Sequence, residues 1–255
     1  MNIRPRNLYQ KQHSRVIVRR NVKLPAGADG QPLGIRIVAA SDIHARNDWF
    51  PQSSVDDLVR TINAVDGADA VVLVGDFVGD DATAIDWSAE SFSKIDSPLF
   101  ATLGNHDYWT DPARITAALT SAGAQVLTNQ STMLGEIHLA GIDSCWGGNP
   151  DAESALRDIP EDAVTVVLGH EPWLATMHSR FLHIAGHTHA GQARLPIPWL
   201  GTRLARMWMP RFSEPYPAGK YRRSERSWVY TTSGVGYSTI SWRLATPPEI
   251  VVFDL

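Results

Sequence analysis

The sequence is poor in cysteine and has no long apolar runs. Cys145 is the single cysteine among 255 residues, so no disulfide can form within the chain, which is typical of a reducing cytoplasm. No run approaches the roughly 20 apolar residues that a membrane-spanning helix needs. The N-terminus also lacks the apolar stretch of a secretory signal. From these absences we expect a cytoplasmic protein.

Acidic residues slightly outnumber basic ones overall, but the start of the chain is basic. The formal net charge is −4, so the total does not indicate a protein that binds nucleic acid. Residues 1–34 are predicted to be a basic lead-in followed by a strand, and no acidic residue occurs before Lys23. This segment is either a solvated strand or a surface that attracts anionic lipid. Peripheral contact with the inner membrane is therefore a hypothesis.

Two common catalytic motifs are missing. The sequence contains neither Gly-x-Ser-x-Gly nor Gly-x-x-x-x-Gly-Lys-Ser/Thr, so it gives no support for a serine hydrolase or a P-loop enzyme. The lack of paired cysteines argues against a structural zinc site.

Short runs rich in Val and Ile alternate with helical patterns. The apolar spacing over 55–65 predicts a helix, and Asp111-Pro112 indicates the start of another that Gly123 ends. Weaker helical patterns cover 151–159 and 172–180. The alternation predicts an α/β protein, which we expect to be a single domain over residues 1–255 with its functional residues at strand C-termini. The predicted strands are 35–40, 70–74, 99–103, 137–140, 164–168, 182–185, 228–232 and 250–253.

Polar clusters follow five of these runs directly. Residues i and i+2 of a strand point the same way, so closely spaced side chains there can hold one ion together. Each cluster alone is unremarkable, but buried carboxylates and imidazoles are costly unless they are paired or bound to metal. Their mixture suits Mn, Fe or Zn ions. The clusters contain Asp42 and His44, then Asp76, then Asn105, His106 and Asp107, then His170, and finally His187 and His189.

The order of these clusters resembles that of the calcineurin-like metallophosphoesterase superfamily. The block from Gly186 to Gln192, followed by Leu195-Pro196, resembles its small bacterial YaeI/YkuE-like branch, which is related to UDP-2,3-diacylglucosamine hydrolases. The resemblance runs from about Ile35 to the C-terminus. It implies a four-layer α/β/β/α sandwich, in which two mixed sheets are flanked by helices.

The resemblance also implies a centre of two divalent ions. Mn²⁺ is the expected metal, and Fe, Zn or a mixed pair are the alternatives. Two such ions activate a bridging water as hydroxide and clamp the phosphoryl oxygens. We therefore expect a phosphodiesterase or pyrophosphatase that acts on a phosphoester substrate. By this resemblance Asp42, His44 and His189 hold one ion, Asn105, His170 and His187 hold the other, and Asp76 bridges them.

Two further residues receive catalytic roles by the same resemblance. His106 is expected to protonate the leaving oxygen or to stabilise the transition state without binding metal. Asp107 either orients His106 and supports its charge or caps a turn, and both interpretations stay open.

The substrate is less sharply indicated. Protein phosphatases of the superfamily follow the bridging Asp with Asp-Arg, whereas Phe77-Val78 stands here, which disfavours a phosphoprotein. Residues 194–221 are dense in Trp and Arg and form either an interfacial segment or a folded flap. We hypothesise a phosphorylated lipid or nucleotide-lipid. A broad phosphomonoesterase, a nuclease and a non-catalytic binding scaffold are the alternatives, and the sequence does not indicate an oligomeric state.

Overall fold

A computed structural model describes residues 16–27, 30–193 and 214–255. Short runs of β-branched residues form most of the strands in this part of the chain, as in the wholly buried run Ala70–Val74. The strands are β1 (Val18–Lys23), β2 (Arg36–Ala40), β3 (Ala70–Val74), β4 (Leu99–Thr102), β5 (Ala124–Val126), β6 (Gln130–Leu134), β7 (Ile137–Gly141), β8 (Thr165–Leu168), β9 (Leu182–Ala185), β10 (Gly219–Ser224), β11 (Ser227–Thr231) and β12 (Glu249–Asp254).

These strands form two six-stranded mixed sheets. The first has the order β1-β12-β2-β3-β4-β5, and the second has the order β10-β11-β9-β8-β7-β6. Strands β2, β3 and β4 run parallel to one another, as do β7, β8 and β9. Because the carboxyl ends of parallel strands meet at one edge, each sheet brings its strand-ending loops together.

Helices cover the outer faces of both sheets. In α1 the buried residues recur at helical spacing, from Val55 through Leu58 and Val59 to Ile62. The Asp111 side chain accepts a hydrogen bond from the Arg114 backbone and caps α4. The helices are α1 (Gln52–Asn63), α2 (Ala84–Phe92), α3 (Asn105–Thr110), α4 (Pro112–Ser121) and α5 (Ala152–Leu156), together with 3₁₀ turns at Pro172–Met177 and His189–Gly191.

Three apolar clusters separate the layers. One lies between the first sheet and α1, α2 and α4; it contains Leu58 and Phe92. A second lies between the two sheets, where Val72 of β3 and Val166 of β8 both belong to it. A third packs α5 against the second sheet. The predicted four-layer α/β/β/α sandwich is confirmed.

Several elements differ from the sequence prediction. The segment predicted as a helix over 172–180 is a 3₁₀ turn that ends at Met177. Helices α2 and α3 and strands β5, β6 and β10 were not predicted. No helix within the described ranges is long and apolar enough to cross a membrane. The single-domain assignment for residues 1–255 stays a prediction, because residues 1–15, 28–29 and 194–213 lie outside the described part.

Candidate metal centre

The residues predicted to hold metal lie in loops at the carboxyl ends of β2, β3, β4, β8 and β9. All seven are buried, with at most 1% of their surface exposed. Asn105 is the first residue of α3, whereas the other six stand in the turns after their strands. The two sheets therefore contribute to one buried polar centre.

The backbone of this centre is strained. Five of the predicted ligands have left-handed φ angles, a conformation that costs a non-glycine residue roughly 1–2 kcal/mol. Such strain is typical of sites where the surrounding structure holds side chains in a required position. The angles are 51° at Asp42, 46° at His44, 57° at Asp76, 68° at His187 and 49° at His189.

The first group of ligand atoms comes from Asp42, His44 and His189. The Nε2 atoms of His44 and His189 face each other at 3.0 Å, and His189 Nε2 lies 3.4 Å from Asp42 Oδ1. Atoms bound about 2.1 Å from one ion stand roughly 3.0–3.5 Å apart. These three side chains therefore have the spacing of ligands around a single metal ion.

The second group comes from Asp76, His170, His187 and Asn105. His170 Nε2 lies 3.1 Å from Asp76 Oδ2, and His187 Nδ1 lies 2.8 Å from Asn105 Oδ1. The His170 ring is fixed from behind, because its Nδ1 is 2.9 Å from the carbonyl oxygen of Val74 and can only donate to it. Its Nε2 is therefore left to face the centre.

Asp76 lies between the two groups. Its Oδ2 atom is 3.4 Å from His44 Nε2 and 3.1 Å from His170 Nε2. Burial works to raise the pKa of Asp76, but the neighbouring His170 ring outweighs it and holds the pKa well below its ordinary value. Burial likewise works to lower the pKa of His170, and Asp76 raises it well above. A divalent ion would take the place of the shared proton.

Unpartnered polar atoms show that these residues fit a metal. Buried polar atoms are nearly always hydrogen-bonded, so exceptions that cluster in one place indicate a missing partner. Among the described residues, the buried side-chain atoms without a hydrogen-bond partner include four that could bind an ion here: Asp76 Oδ2, His106 Nε2, His170 Nε2 and His187 Nε2. The donor set of imidazole and carboxylate suits Mn, Fe or Zn.

The family profile described as calcineurin-like phosphoesterase matches residues 35–191. The chain belongs to this family. Metallophosphoesterases are metal-dependent hydrolases of phosphoesters, and the chain is one of them. All seven predicted ligands lie within the matched residues.

Similar curated proteins confirm the branch predicted from the sequence. The metallophosphoesterase YkuE of Bacillus subtilis is 29% identical over 245 residues, which are 91% of this chain and 81% of YkuE. The phosphodiesterase YaeI of Escherichia coli is 30% identical over 252 residues, covering 86% and 82%. The transmembrane protein with metallophosphoesterase domain of Danio rerio is 33% identical over 251 residues, covering 89% of this chain but 54% of that protein. The chain therefore spans about half the length of this last relative.

Two solved structures share the fold. A dimetal phosphatase from Danio rerio has a TM-score of 0.50 at 11% identity, covering 80% of this chain and 88% of that chain. The 5'-nucleotidase precursor from Thermus thermophilus has a TM-score of 0.51 at 14% identity, covering 86% and 54%. At these identities the likeness shows the fold alone.

His106 lies at the edge of the metallophosphoesterase centre and is less buried than the ligands. Its Nδ1 atom is 3.2 Å from the carbonyl oxygen of Gly79. Because a carbonyl only accepts, this contact places a proton on Nδ1 and leaves Nε2 directed elsewhere. His106 can also form a metal-binding group with His44 and Asp76. The geometry thus brings the predicted proton donor to the centre and also allows it to be a ligand.

Asp107 ties two of the strand-ending loops together. Its carboxylate accepts hydrogen bonds from the backbone N–H groups of Asp76 at 2.9 Å, Phe77 at 2.8 Å and Gly104 at 2.8 Å. Burial and then the charge of Asp76 raise the pKa of Asp107 to about 7. These contacts favour the capping interpretation of Asp107, since the ring of His106 is held by Gly79 instead.

Glu214 was not predicted as a site residue, and it stands close to the centre. Its Oε1 atom is 3.3 Å from His187 Nε2, and its Oε2 accepts a hydrogen bond from the Trp173 backbone at 3.2 Å. The contact between Glu214 Oε1 and His187 Nε2 does not have the geometry of a hydrogen bond, and His187 Nε2 has no hydrogen-bond partner. Glu214 follows no strand, so no sequence pattern indicated it. Most of the predicted insertion over 194–221 lies outside the described residues, which resume at Glu214.

Proposed function

We propose that the chain is a two-metal phosphodiesterase or pyrophosphatase. The observation that carries this proposal is the position of Asp76, whose single oxygen Oδ2 is within 3.4 Å of a histidine nitrogen of each group. A binuclear metal centre needs two sets of ligand atoms that share one carboxylate, and Asp76 would be that carboxylate here. Two divalent ions held there, Mn²⁺ being our expectation, would supply an activated water and positive charge for the phosphoryl oxygens.

The chain's own residues would divide the work around that centre. Asp42, His44 and His189 would hold one ion, Asn105, His170 and His187 the other, and Asp76 would contact both. His106, oriented by Gly79, would deliver a proton from Nε2 to the departing oxygen. Asp107 would keep Asp76 and the start of α3 in register. Together these roles describe hydrolysis of a P–O bond with protonation of the leaving group.

The environment of Asp76 supports a substrate other than a phosphoprotein. The two residues that follow it, Phe77 and Val78, are completely buried apolar side chains. No cation is therefore supplied at the positions where protein phosphatases of the superfamily have Asp-Arg.

Metal analysis combined with two chromogenic substrates tests the proposal. We expect purified protein to contain up to two divalent ions per chain and, with Mn²⁺ added, to hydrolyse bis(4-nitrophenyl) phosphate faster than 4-nitrophenyl phosphate. Faster hydrolysis of the monoester would favour the phosphomonoesterase alternative. A protein that binds metal but cleaves neither compound would favour the binding scaffold.

The proposal extends to a lipid-linked substrate and to peripheral contact with a membrane. They rest on the basic residues before Lys23 and on the Trp- and Arg-rich segment from 194 onward, and most of both lies outside the described residues. Flotation of the intact chain with vesicles containing anionic lipid is the direct test. Equal recovery from anionic and neutral vesicles would contradict an electrostatic membrane contact.

A further inference from the structure

One strand-ending loop beside the metal centre carries no predicted ligand. Residues 143–149 follow β7, which is parallel to β8, so this loop lies at the same sheet edge as His170. Asp143 organises the loop: its carboxylate accepts hydrogen bonds from the backbones of Ser144 and Asn149, each at 2.8 Å, and from the hydroxyl of Tyr108 at 2.5 Å. Tyr108 belongs to α3, so the loop is attached to the helix that carries His106.

The loop is also attached to the neighbour of a predicted ligand. Glu171 directly follows His170 and is completely buried. It accepts hydrogen bonds from Ser144 Oγ at 2.5 Å and from the Cys145 backbone at 3.2 Å. A Cβ atom on Gly147 would collide with Tyr108. These contacts tie the loop to α3 and to the residue that follows the predicted ligand His170.

Two indole rings flank the centre. Trp146, in this loop, has its ring centroid 5.3 Å from that of His187 and is 49% exposed. Trp109, in α3, lies 5.0 Å from the ring of His106 and is 53% exposed. Each indole therefore combines contact with a histidine of the centre and a ring that is about half exposed, on which a planar group could stack. The anchored loop places the half-exposed indole of Trp146 next to His187, a position from which it could contact a bound substrate.

We propose that Trp146 is the wall of a subsite for a planar aromatic substituent that stays on phosphorus during hydrolysis, such as an aryl group or a nucleobase. This assignment rests on the proposed function, because the role of His106 places the leaving group on the side of Trp109. Trp146 contacts a ligand of the other group, so it faces the substituent that is retained. The face of an indole is a stacking surface for a planar ring, whichever aromatic system that ring belongs to.

Two diesters with the same leaving group isolate the retained substituent. Bis(4-nitrophenyl) phosphate and methyl 4-nitrophenyl phosphate both lose 4-nitrophenolate to water, so they differ only in the group that stays. In the Mn²⁺-loaded protein, Trp146→Leu should lower kcat/KM for the bis-aryl ester roughly tenfold and leave the methyl ester within about twofold, a size consistent with one lost stack. Trp146→Phe should restore most of the difference, and Trp109→Leu should affect both esters alike.

Trp242→Leu is the matched control. Trp242 is 52% exposed, and in the described part of the chain its indole makes no ring contact with a histidine of the centre, so its replacement should change neither ester. Equal losses for both esters in Trp146→Leu would overturn the proposal, as would the absence of any loss. Unchanged metal content and thermal unfolding in Trp146→Leu would show that the loss is not a folding defect.

Direct binding separates this subsite from the proposed reaction. Calorimetry should show that the metal-loaded protein binds phenylphosphonate more tightly than methylphosphonate, and that Trp146→Leu removes this preference. If the protein cleaves no ester but retains the phenyl preference, the proposed function fails and the subsite stands. If phenyl- and methylphosphonate bind equally well to the wild-type protein, the subsite is wrong whatever the enzyme hydrolyses.

Discussion

Asp76 is the residue at which the smallest change should have the largest effect. Asp76→Asn keeps the side-chain volume but removes the charge that faces both His44 and His170. We expect activity to fall on the order of 100-fold or more and bound metal to decrease, because even residues that only orient a ligand are worth 10–100-fold. Elemental analysis and turnover should be compared with Asp57→Asn, an exposed change in α1. Full metal content in Asp76→Asn would contradict a bridging role.

His106 can be tested through the leaving group. We expect His106→Ala to keep its metals and to lose on the order of 100-fold in kcat on a phenyl ester, the range of general acid catalysis. The loss on a 4-nitrophenyl ester should be much smaller, since 4-nitrophenolate is a stable anion that departs without a proton. If both esters lost activity equally and a metal site were empty, His106 would instead be a metal ligand, in one group with His44 and Asp76.

At the residue scale, the sequence indicated which side chains meet at the centre, but not the backbone conformation that brings them there. Asp42 and His44 could be selected because the pattern of a buried strand followed by polar side chains is local. The left-handed conformations of both residues could not, since they depend on packing between loops that are distant in sequence. Glu214 could not be found either, because its approach to His187 joins segments that no periodicity relates.

The hydrogen bonds of Asp107 connect two elements, which gives a prediction at the scale of secondary structure. Its carboxylate binds three backbone N–H groups across the loop after β3 and the start of α3. Asp107→Asn has one carbonyl acceptor in place of two oxygens and leaves at least one of these buried groups unpaired. The free energy of unfolding should fall by about 1–3 kcal/mol, measured by urea denaturation.

The alternative role of Asp107 predicts a different outcome. If the carboxylate acted mainly on the charge of His106, Asp107→Asn would leave the free energy of unfolding unchanged. It would instead shift the pH at which kcat changes in the pH profile of the enzyme. Asp111→Ala is a suitable comparison, because it removes only the cap of α4 and should cost about 1 kcal/mol without affecting metal binding.

Elements were predictable where burial makes the sequence uniform. Strand β3 is apolar throughout and was predicted with the bounds that the structure has. Strand β6 was missed because it lies at a sheet edge and is only partly buried, so its sequence Gln-Ser-Thr-Met-Leu shows no continuous apolar run. Helix α3 was missed because its six residues are dominated by the requirements of the site, as Asn105 and Asp107 illustrate.

At the scale of the whole molecule, the two sheets depend on each other through the centre. Asp42 of the first sheet accepts a hydrogen bond from the backbone of His187 of the second at 2.9 Å. The layer order followed from the family resemblance. Alternation of strands and helices alone predicts only an α/β fold, because nothing local to β7 or β9 states which sheet they join. The contact between the two sheets therefore could not be predicted from the sequence of any one segment.

The stability of the whole fold should also depend on pH through a histidine pair outside the centre. Arg180 N–H donates to His178 Nδ1 at 3.1 Å, so the proton of His178 is on Nε2, which donates to His183 Nδ1 at 3.0 Å. Both rings are therefore neutral. Burial and then the nearby arginines lower the pKa of His178 to about 3. Burial, together with the charge of Arg223, lowers the pKa of His183 well below its ordinary value.

The sign of the pH effect follows from these depressed values. Histidine in the unfolded chain titrates near pH 6.5. Below that pH the unfolded chain binds protons that the folded histidine pair does not bind, so the stability present above pH 6.5 is lost as the pH falls. Each histidine that stays neutral costs about 1.4 kcal/mol at pH 5.5. In the presence of EDTA, His178→Gln should therefore lose roughly 1.4 kcal/mol less than the wild type between pH 7.5 and 5.5, measured by urea denaturation. Thr176→Ala changes a neighbouring residue that does not titrate, so its free energy of unfolding should change with pH as in the wild type. If His178→Gln also showed the wild-type change, the histidine pair would not control the acid response.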